Sequence, residues 1–277
     1  MNMLEFGMRG HDIPTNDLEI LTKTACENKI SHFQLALKKT FPDIYKKTGI
    51  FSPGLAAKIK KGLDSADLRV SVLGSYINPV AEDEEARKAE LDFYLENVKF
   101  AAFLGAGCIG TETGTNGDSA HTHSEENYRL FLKSAEKMVD TCENFGIIAG
   151  FEPVSVFTID SPKTAARMIK DLASPNIGII FDPVNMLSSE TYENQEYIIK
   201  EAIELLHDRI VAVHLKDFDY ENGRRAAKRA GEGKADFKTV LKYIKYEKPG
   251  VDMVLDETPL CDIPHTIKYL TEIWNEI

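Results

Sequence analysis

The sequence predicts an α/β protein in which eight parallel strands alternate with helices and close into a (β/α)8 barrel. Three observations predict it. Apolar, strand-like runs alternate with amphipathic stretches eight times along the 277 residues, at roughly 30–40 residues per unit. The stretch 146–185 shows the unit most clearly: GIIAGFEPV, a helix-like segment, then NIGIIFDPVN; strand, helix, strand implies parallel pairing. The apolar runs of the second half also stop at residues able to do chemistry, namely Glu152, Asp182, His214 and the pair Asp256-Glu257. An open doubly wound sheet is the weaker alternative. No GxGxxG follows the first strand, and the glycine run at 105–110 leads into a strand.

The elements follow in order. A first strand is expected at 3–8, ending at Arg9, Gly10 and His11, then a helix at 17–28 with Leu18, Leu21 and Ala25 on one face. Residues 31–37 (SHFQLAL) read as the second strand and 38–51 as a polar loop. Ser52-Pro53 opens a helix to 63. A third strand at 68–77 brings Tyr76 and Asn78 to its end, and a long charged helix fills 82–104. The fourth strand, 107–111, leads to Glu112, with 113–123 a loop on the same side. The helix at 124–145 carries an apolar stripe of Phe131, Ala135, Met138 and Cys142. Between the fifth and sixth strands, Ser161 is a good N-cap and Pro162 suits the first helical position. A helix at 195–206, a seventh strand at 209–215, a long loop at 217–234, a helix at 235–246, an eighth strand at 252–255 and a helix at 263–274 complete the chain. No break in composition marks a linker, so residues 1–277 are expected to form one domain.

Composition narrows the function. Hydrophobic content of 43% and charged content of 28% suit a large core. A net charge of −11 argues against a nucleic-acid partner, while leaving room for a small phosphorylated substrate. Cys26, Cys108, Cys142 and Cys261 form no CxxC pair and read as reduced thiols of a cytoplasmic protein. The start is too short for a signal peptide and carries Glu5 within its apolar part. No apolar run approaches the roughly 20 residues of a membrane span.

In a barrel, Glu152, Asp182, His214 and one of Asp256 or Glu257 converge over one mouth. Two or three carboxylates with one imidazole suit Mn²⁺, Mg²⁺, Co²⁺ or Zn²⁺, and the absence of thiolates argues against a structural zinc. Singly, each acid reads better as a helix cap or salt-bridge partner, and His214 reads equally well as a hydrogen-bonded core histidine. Together, their burial without a cation would cost several kcal/mol. Alternation leaves open whether Asp256 or Glu257 faces inward, since both faces of a barrel strand are buried. Glu257 is preferred, as the last residue before Thr258-Pro259 and the longer side chain.

The motifs FEPV at 151–154, FDPVN at 181–185, HLKD at 214–217, GEG at 231–233 followed by KADF, and VLDE at 254–257 carry a resemblance. The chain resembles the sugar phosphate isomerase/epimerase family, the xylose isomerase-like TIM barrels that also include ketose 3-epimerases and endonuclease IV-type enzymes. The likeness covers the second half well and the first half only by strand order. It implies one divalent metal held by Glu152, Asp182, His214 and Glu257, and, as in the epimerase branch, proton exchange by Glu152 and Glu257. The chain departs from the family pattern at Asn185, often His, at Thr158, a Glu in ketose epimerases, and at Tyr220, an Arg there. The extra histidine ligands of the nuclease branch are missing at Asn185 and before Gly231.

Asn185, Lys216 and Glu112 are the candidate substrate-binding residues: Asn185 for a hydroxyl, Lys216 for an enediolate oxygen or phosphate, Glu112 from the fourth strand end. Salt bridges or a helix start are their plainer readings. His121 and His123 form an HxH that reads better as exposed loop histidines than as ligands. Gly231 and Gly233 suit a turn or a backbone anion site. Arg224, Arg225, Lys228 and Arg229 read as a solvated loop face. The expected function is a metal-dependent sugar or sugar phosphate isomerase or epimerase, acting on a small carbohydrate through an enediolate. A dehydratase using the same enolate, a phosphodiesterase and a non-catalytic binding barrel are the alternatives, the phosphodiesterase disfavoured. No nucleic-acid or membrane partner is expected, and self-association is left open.

Overall fold

A computed structural model describes residues 4–45 and 49–277. Residue 3, the expected start of the first strand, and residues 46–48 of the 38–51 loop lie outside the described residues.

The observed elements alternate as expected. In chain order they are β1 (Gly7–Arg9), α1 (Leu18–Glu27), β2 (His32–Leu35), α2 (Leu37–Thr40), α3 (Pro53–Asp64), β3 (Arg69–Gly74), α4 (Glu84–Leu104), β4 (Cys108–Glu112), α5 (Ser119–Thr122), α6 (Glu125–Phe145) and β5 (Ile148–Glu152). There follow α7 (Pro162–Leu172), β6 (Ile177–Phe181), α8 (Gln195–Leu206), β7 (Ile210–Leu215), β8 (Asp217–Glu221), β9 (Arg224–Lys228), α9 (Phe237–Tyr246), β10 (Asp252–Leu255) and α10 (Ile263–Glu276). Eight strands close in the order β1-β10-β7-β6-β5-β4-β3-β2, and every pairing in the barrel is parallel.

The helices start where side-chain caps allow. Asp17, Ser52, Asp83, Ser124 and Ser161 each accept from a backbone N–H of the first turn. At α7, Ser161 and Thr164 form a reciprocal capping box, with Pro162 at the first helical position. Strand alternation then separates two layers. Ile109, Phe151, Phe181, Leu215 and Leu255 face the helices, meeting Phe131, Met168 and Leu241 in one continuous core. Val72, Cys108, Ile180 and Ala212 face inward and plug the barrel. This plug supports whatever lies above it at the carboxyl ends of the strands.

Three segments differ from expectation. The 217–234 stretch, expected as a loop, is an antiparallel hairpin of β8 and β9. Its turn is Asn222-Gly223, with φ of 52° and 75°, the left-handed pair that a tight hairpin requires. The loops at 38–51 and 113–123 contain the short helices α2 and α5. All four cysteines are free, and Cys108 and Cys142 are buried. Among the described residues, no helix is long and apolar enough to cross a membrane.

Candidate metal centre at the barrel mouth

Glu152 ends β5, Asp182 follows β6, and His214 is the penultimate residue of β7. These three offer ligand atoms that all lie within 4.8 Å of one another, and all three residues are buried. His214 Nδ1 is 3.3 Å from Glu152 Oε1 and 3.4 Å from Asp182 Oδ2. The arrangement is held from behind. Asp182 Oδ1 accepts from the backbone N–H groups of Val184 and Asn185 at 2.9 and 3.0 Å, which turns Oδ2 toward the centre. Asn185 Nδ2 donates to Glu152 Oε1 at 2.6 Å. His214 Nε2 lies 2.7 Å from Gln34 Oε1, and Gln34 donates in turn to the Tyr76 hydroxyl. A carbonyl acceptor at Nε2 puts the proton of the neutral ring there and leaves the Nδ1 lone pair facing the two carboxylates.

Asp182 Oδ2 and His214 Nδ1 are both buried and have no hydrogen-bond partner. Lys216 Nζ stands 2.8 Å from Asp182 Oδ2 as an opposite charge, out of line for a hydrogen bond. Two orphaned buried atoms aimed at one point are costly unless a ligand occupies it. One imidazole nitrogen and two carboxylates are a donor set for a divalent ion. Around the trio, Asp182, Asp256 and Glu257 are tied to Lys216, Arg9 and Arg225. Glu152, Asp182 and His214 could therefore hold a metal ion.

Lys216, just beyond β7, lies 2.8 Å from Asn185 Oδ1, 2.8 Å from Asp256 Oδ2 and 3.4 Å from Glu257 Oε1. Met253 and Leu255 pack toward the helices, so alternation gives the next inward position to Asp256 and not to Glu257. Asp256 is locked between Lys216 and Arg9, the latter at 3.0 Å. Glu257 reaches the mouth by another route. Its backbone turns left-handed, φ 47°, and its carboxylate takes two hydrogen bonds of 2.7 Å from Arg225 on the hairpin. It stands outside the trio that converges on one point. Arg224, Arg225 and Arg229 are exposed as expected, but Arg225 also pairs with Glu257, and Lys228 and Arg229 pair with Glu221 and Asp262.

Burial and charge set the protonation of the mouth. Burial opposes charge on His214, but Glu152 and Asp182 outweigh it and push the ring up to about 10. Burial likewise opposes charge on Lys216, and the carboxylates of Asp182, Asp256 and Glu257 hold it well above the usual lysine value. Asp182 and Asp256 are both held low against burial, each by Lys216 first and by His214 as well. Glu112, paired in register with Glu152, is pushed up to about 7 by burial and then by the Glu152 charge.

Arg9, Gln34, Tyr76, Glu112, Asn185 and Glu257 wall a cavity of about 80 Å³ above the trio. Glu112, Asn185 and Glu257 also border an adjoining groove of about 440 Å³, lined further by Ser155, Ser188 and Tyr220. Asn185, Lys216 and Glu112 all lie at this mouth. His121 and His123 do not; both are exposed, and His121 borders a separate groove along α6 with Glu125 and Lys133. The GEG loop binds an anion, but it is the chain's own. Asp217 accepts from the backbone N–H groups of Gly231, Gly233, Ala235 and Phe218 at 2.8–3.0 Å. A side chain at Gly233 would stand 2.2 Å from Asp217 Oδ1. Thr158 binds the Gly114 carbonyl and accepts from Asn127, pinning two loops. Gln34 escapes a sequence reading, although one polar residue in the apolar run SHFQLAL is a usable signal.

A closed parallel barrel with buried carboxylates and a histidine at the carboxyl ends of its strands defines a class of α/β barrel. Residues 20–273 match the model of the xylose isomerase-like TIM barrels, and the chain belongs to that family. Among solved structures it is similar to a D-tagatose 3-epimerase-like protein, at 18% identity, TM-score 0.78, over 99% of this chain and 99% of that one. It is also similar to the Escherichia coli 3-keto-D-glucoside 4-epimerase YcjR, at 16% identity, TM-score 0.76, over 98% of this chain and 100% of that one. A third is the IOLI protein with a bound zinc atom, at 14% identity, TM-score 0.72, over 99% of each chain. At these identities the likeness establishes the fold. No curated protein matches the chain.

Proposed function

We propose that the protein is a divalent-metal-dependent isomerase or epimerase of a small polyhydroxylated carbonyl compound. The observation that carries the reading is the pair of orphaned buried atoms, His214 Nδ1 and Asp182 Oδ2, converging with Glu152. Similarity to an epimerase and to a zinc-bearing neighbour supports it. A divalent ion held by Glu152, Asp182 and His214 would polarise the carbonyl and neighbouring hydroxyl oxygens of the substrate and so acidify the carbon between them.

The chain's own groups then divide the work. Glu152 takes the proton from carbon, its rotamer fixed by the Asn185 amide. Lys216 sits where negative charge develops on oxygen and stabilises the enediolate. Glu257 returns a proton, from the opposite face for epimerisation. Glu257 is preferred to Asp256 because it borders both the cavity and the open groove, whereas Asp256 is buried between Arg9 and Lys216. The groove accepts the remaining hydroxyls through Ser155, Ser188 and Asn185. The test is a screen of ketoses, ketose phosphates and inososes with the Mn²⁺- or Zn²⁺-loaded protein in D₂O. Deuterium appearing at the carbon beside the carbonyl supports the reading; no exchange with any compound refutes it.

A further inference from the structure

The two sides of the inner cavity differ in charge. Glu112, Glu152, Asp256 and Glu257 line one side together with His214 and Lys216, whereas Arg9, His11 and Lys39, from the end of β1 and from α2, line the other without a carboxylate among them. The cations are not equivalent. Arg9 is bound by Asp12 and Asp256, Lys216 by Asp182 and Asp256, and Arg225 by Glu257. Each is committed to a carboxylate of the protein. Lys39 has none: on an exposed residue, its ammonium forms neither an ion pair nor a hydrogen bond among the described residues. Its ammonium lies 4.3 Å from the centre of the Tyr76 ring. That face attracts the charge but accepts no N–H···O hydrogen bond, so the three ammonium donors are left to solvent or a ligand. Tyr76 is itself held by Gln34, the residue behind His214, so the ring that Lys39 covers is tied to the metal trio. Beside it, His11 Nδ1 is buried without a partner. An anionic oxygen would satisfy both groups at once.

We infer that the substrate carries an anionic group, a carboxylate or a phosphate, seated against Lys39 and His11 while its carbonyl end meets Glu152, Asp182 and His214. The inference rests on the proposed isomerase reading and narrows its substrate class to anionic sugars or hydroxy-keto acids. The cavity, at about 80 Å³, has space for several water-sized groups, and the rest of the ligand extends into the adjoining groove.

The test is titration calorimetry of the metal-loaded protein with three probes sharing one carbon skeleton: D-fructose, D-fructuronate and D-fructose 6-phosphate. The expected result is that at least one anion binds about tenfold more tightly than D-fructose, and the better anion identifies carboxylate or phosphate. Lys39→Met should abolish that preference while leaving metal stoichiometry and D-fructose affinity unchanged, and Lys39→Arg should restore most of it. Equal binding of all three probes, no binding of either anion, or a preference that survives Lys39→Met overturns the inference. Deuterium exchange run in parallel separates the two ideas: anion preference without exchange sinks the reaction and keeps the anion site.

Discussion

The barrel mouth has two unlike halves. The half built by β5, β6, β7 and β10 carries Glu152, Asp182, His214, Lys216 and Asp256, all buried and tied to one another. The half built by β1, β2 and β3 carries Arg9, His11, Gln34, Lys39 and Tyr76, which meet in a looser, more open wall. Under the proposed function, dense and mutually compensated charge suits the first half to holding a cation and moving a proton. Unspent donors make the second half suited to reading the ligand. Gln34 joins them: it is rooted in β2, yet it fixes the ring of His214. The chemistry and the recognition are thus separable, and a variant in one half, Gln34 apart, should leave the other intact.

The largest effect is expected in the acidic half. Glu152→Gln and Glu257→Gln should each lower proton exchange at least about a hundredfold, since an amide cannot accept the proton. Asp256→Asn should cost less, because Asp256 is engaged by Arg9 and Lys216. Exchange rates measured once a substrate is in hand decide it, and a reversed ranking of Glu257→Gln and Asp256→Asn would transfer the role to Asp256. A smaller effect is expected where the halves join. Gln34→Leu should weaken metal binding by about 10–100-fold, because the His214 ring loses the acceptor that fixes its tautomer. Equal metal affinity in Gln34→Leu and the parent protein would show that the halves are uncoupled.

The halves were also unequally legible. In the second half, apolar runs broken by acid–proline pairs at Glu152-Pro153 and Asp182-Pro183 mark strand ends directly, because a buried parallel strand needs a continuous apolar run and the mouth interrupts it. In the first half the site residues sit within structure that reads as something else. Gln34 lies inside a strand, and Lys39 lies in what reads as a polar loop. Arg9 and Tyr76 are visible as strand ends, but their partners Asp256 and Gln34 are distant in sequence. The hairpin of β8 and β9 is too polar for a periodicity reading, although Asn222-Gly223 signals its turn. The Asp217 partner of the GEG loop, and the left-handed turn that brings Glu257 back over the mouth, are tertiary facts that no local pattern contains.

An effect on stability and not on the site is expected at the opposite end of the barrel, beneath the first half. His32 packs against the backbone of Gly7, near Asp252 and Arg69. Burial holds its ring neutral, down to about 4. Between about pH 6.5 and 4 the unfolded chain binds this proton and the folded chain does not. Stability is therefore undiminished above that window and falls as pH drops through it, by up to ~3 kcal/mol. His32→Asn should flatten the dependence of the urea midpoint on pH from 7 to 4, and parallel curves for the two proteins would remove His32 as the cause.

The central claim is tested most directly by calorimetric titration of the metal-stripped protein with Mn²⁺ and Zn²⁺, beside Asp182→Asn and His214→Ala. The account predicts one saturable site per chain, with protons released near neutral pH because His214 must give up the proton that Glu152 and Asp182 favour. It predicts loss of that site in both variants, with the fold retained by circular dichroism. A parent protein that binds neither ion, or variants that bind as tightly as the parent, would contradict it.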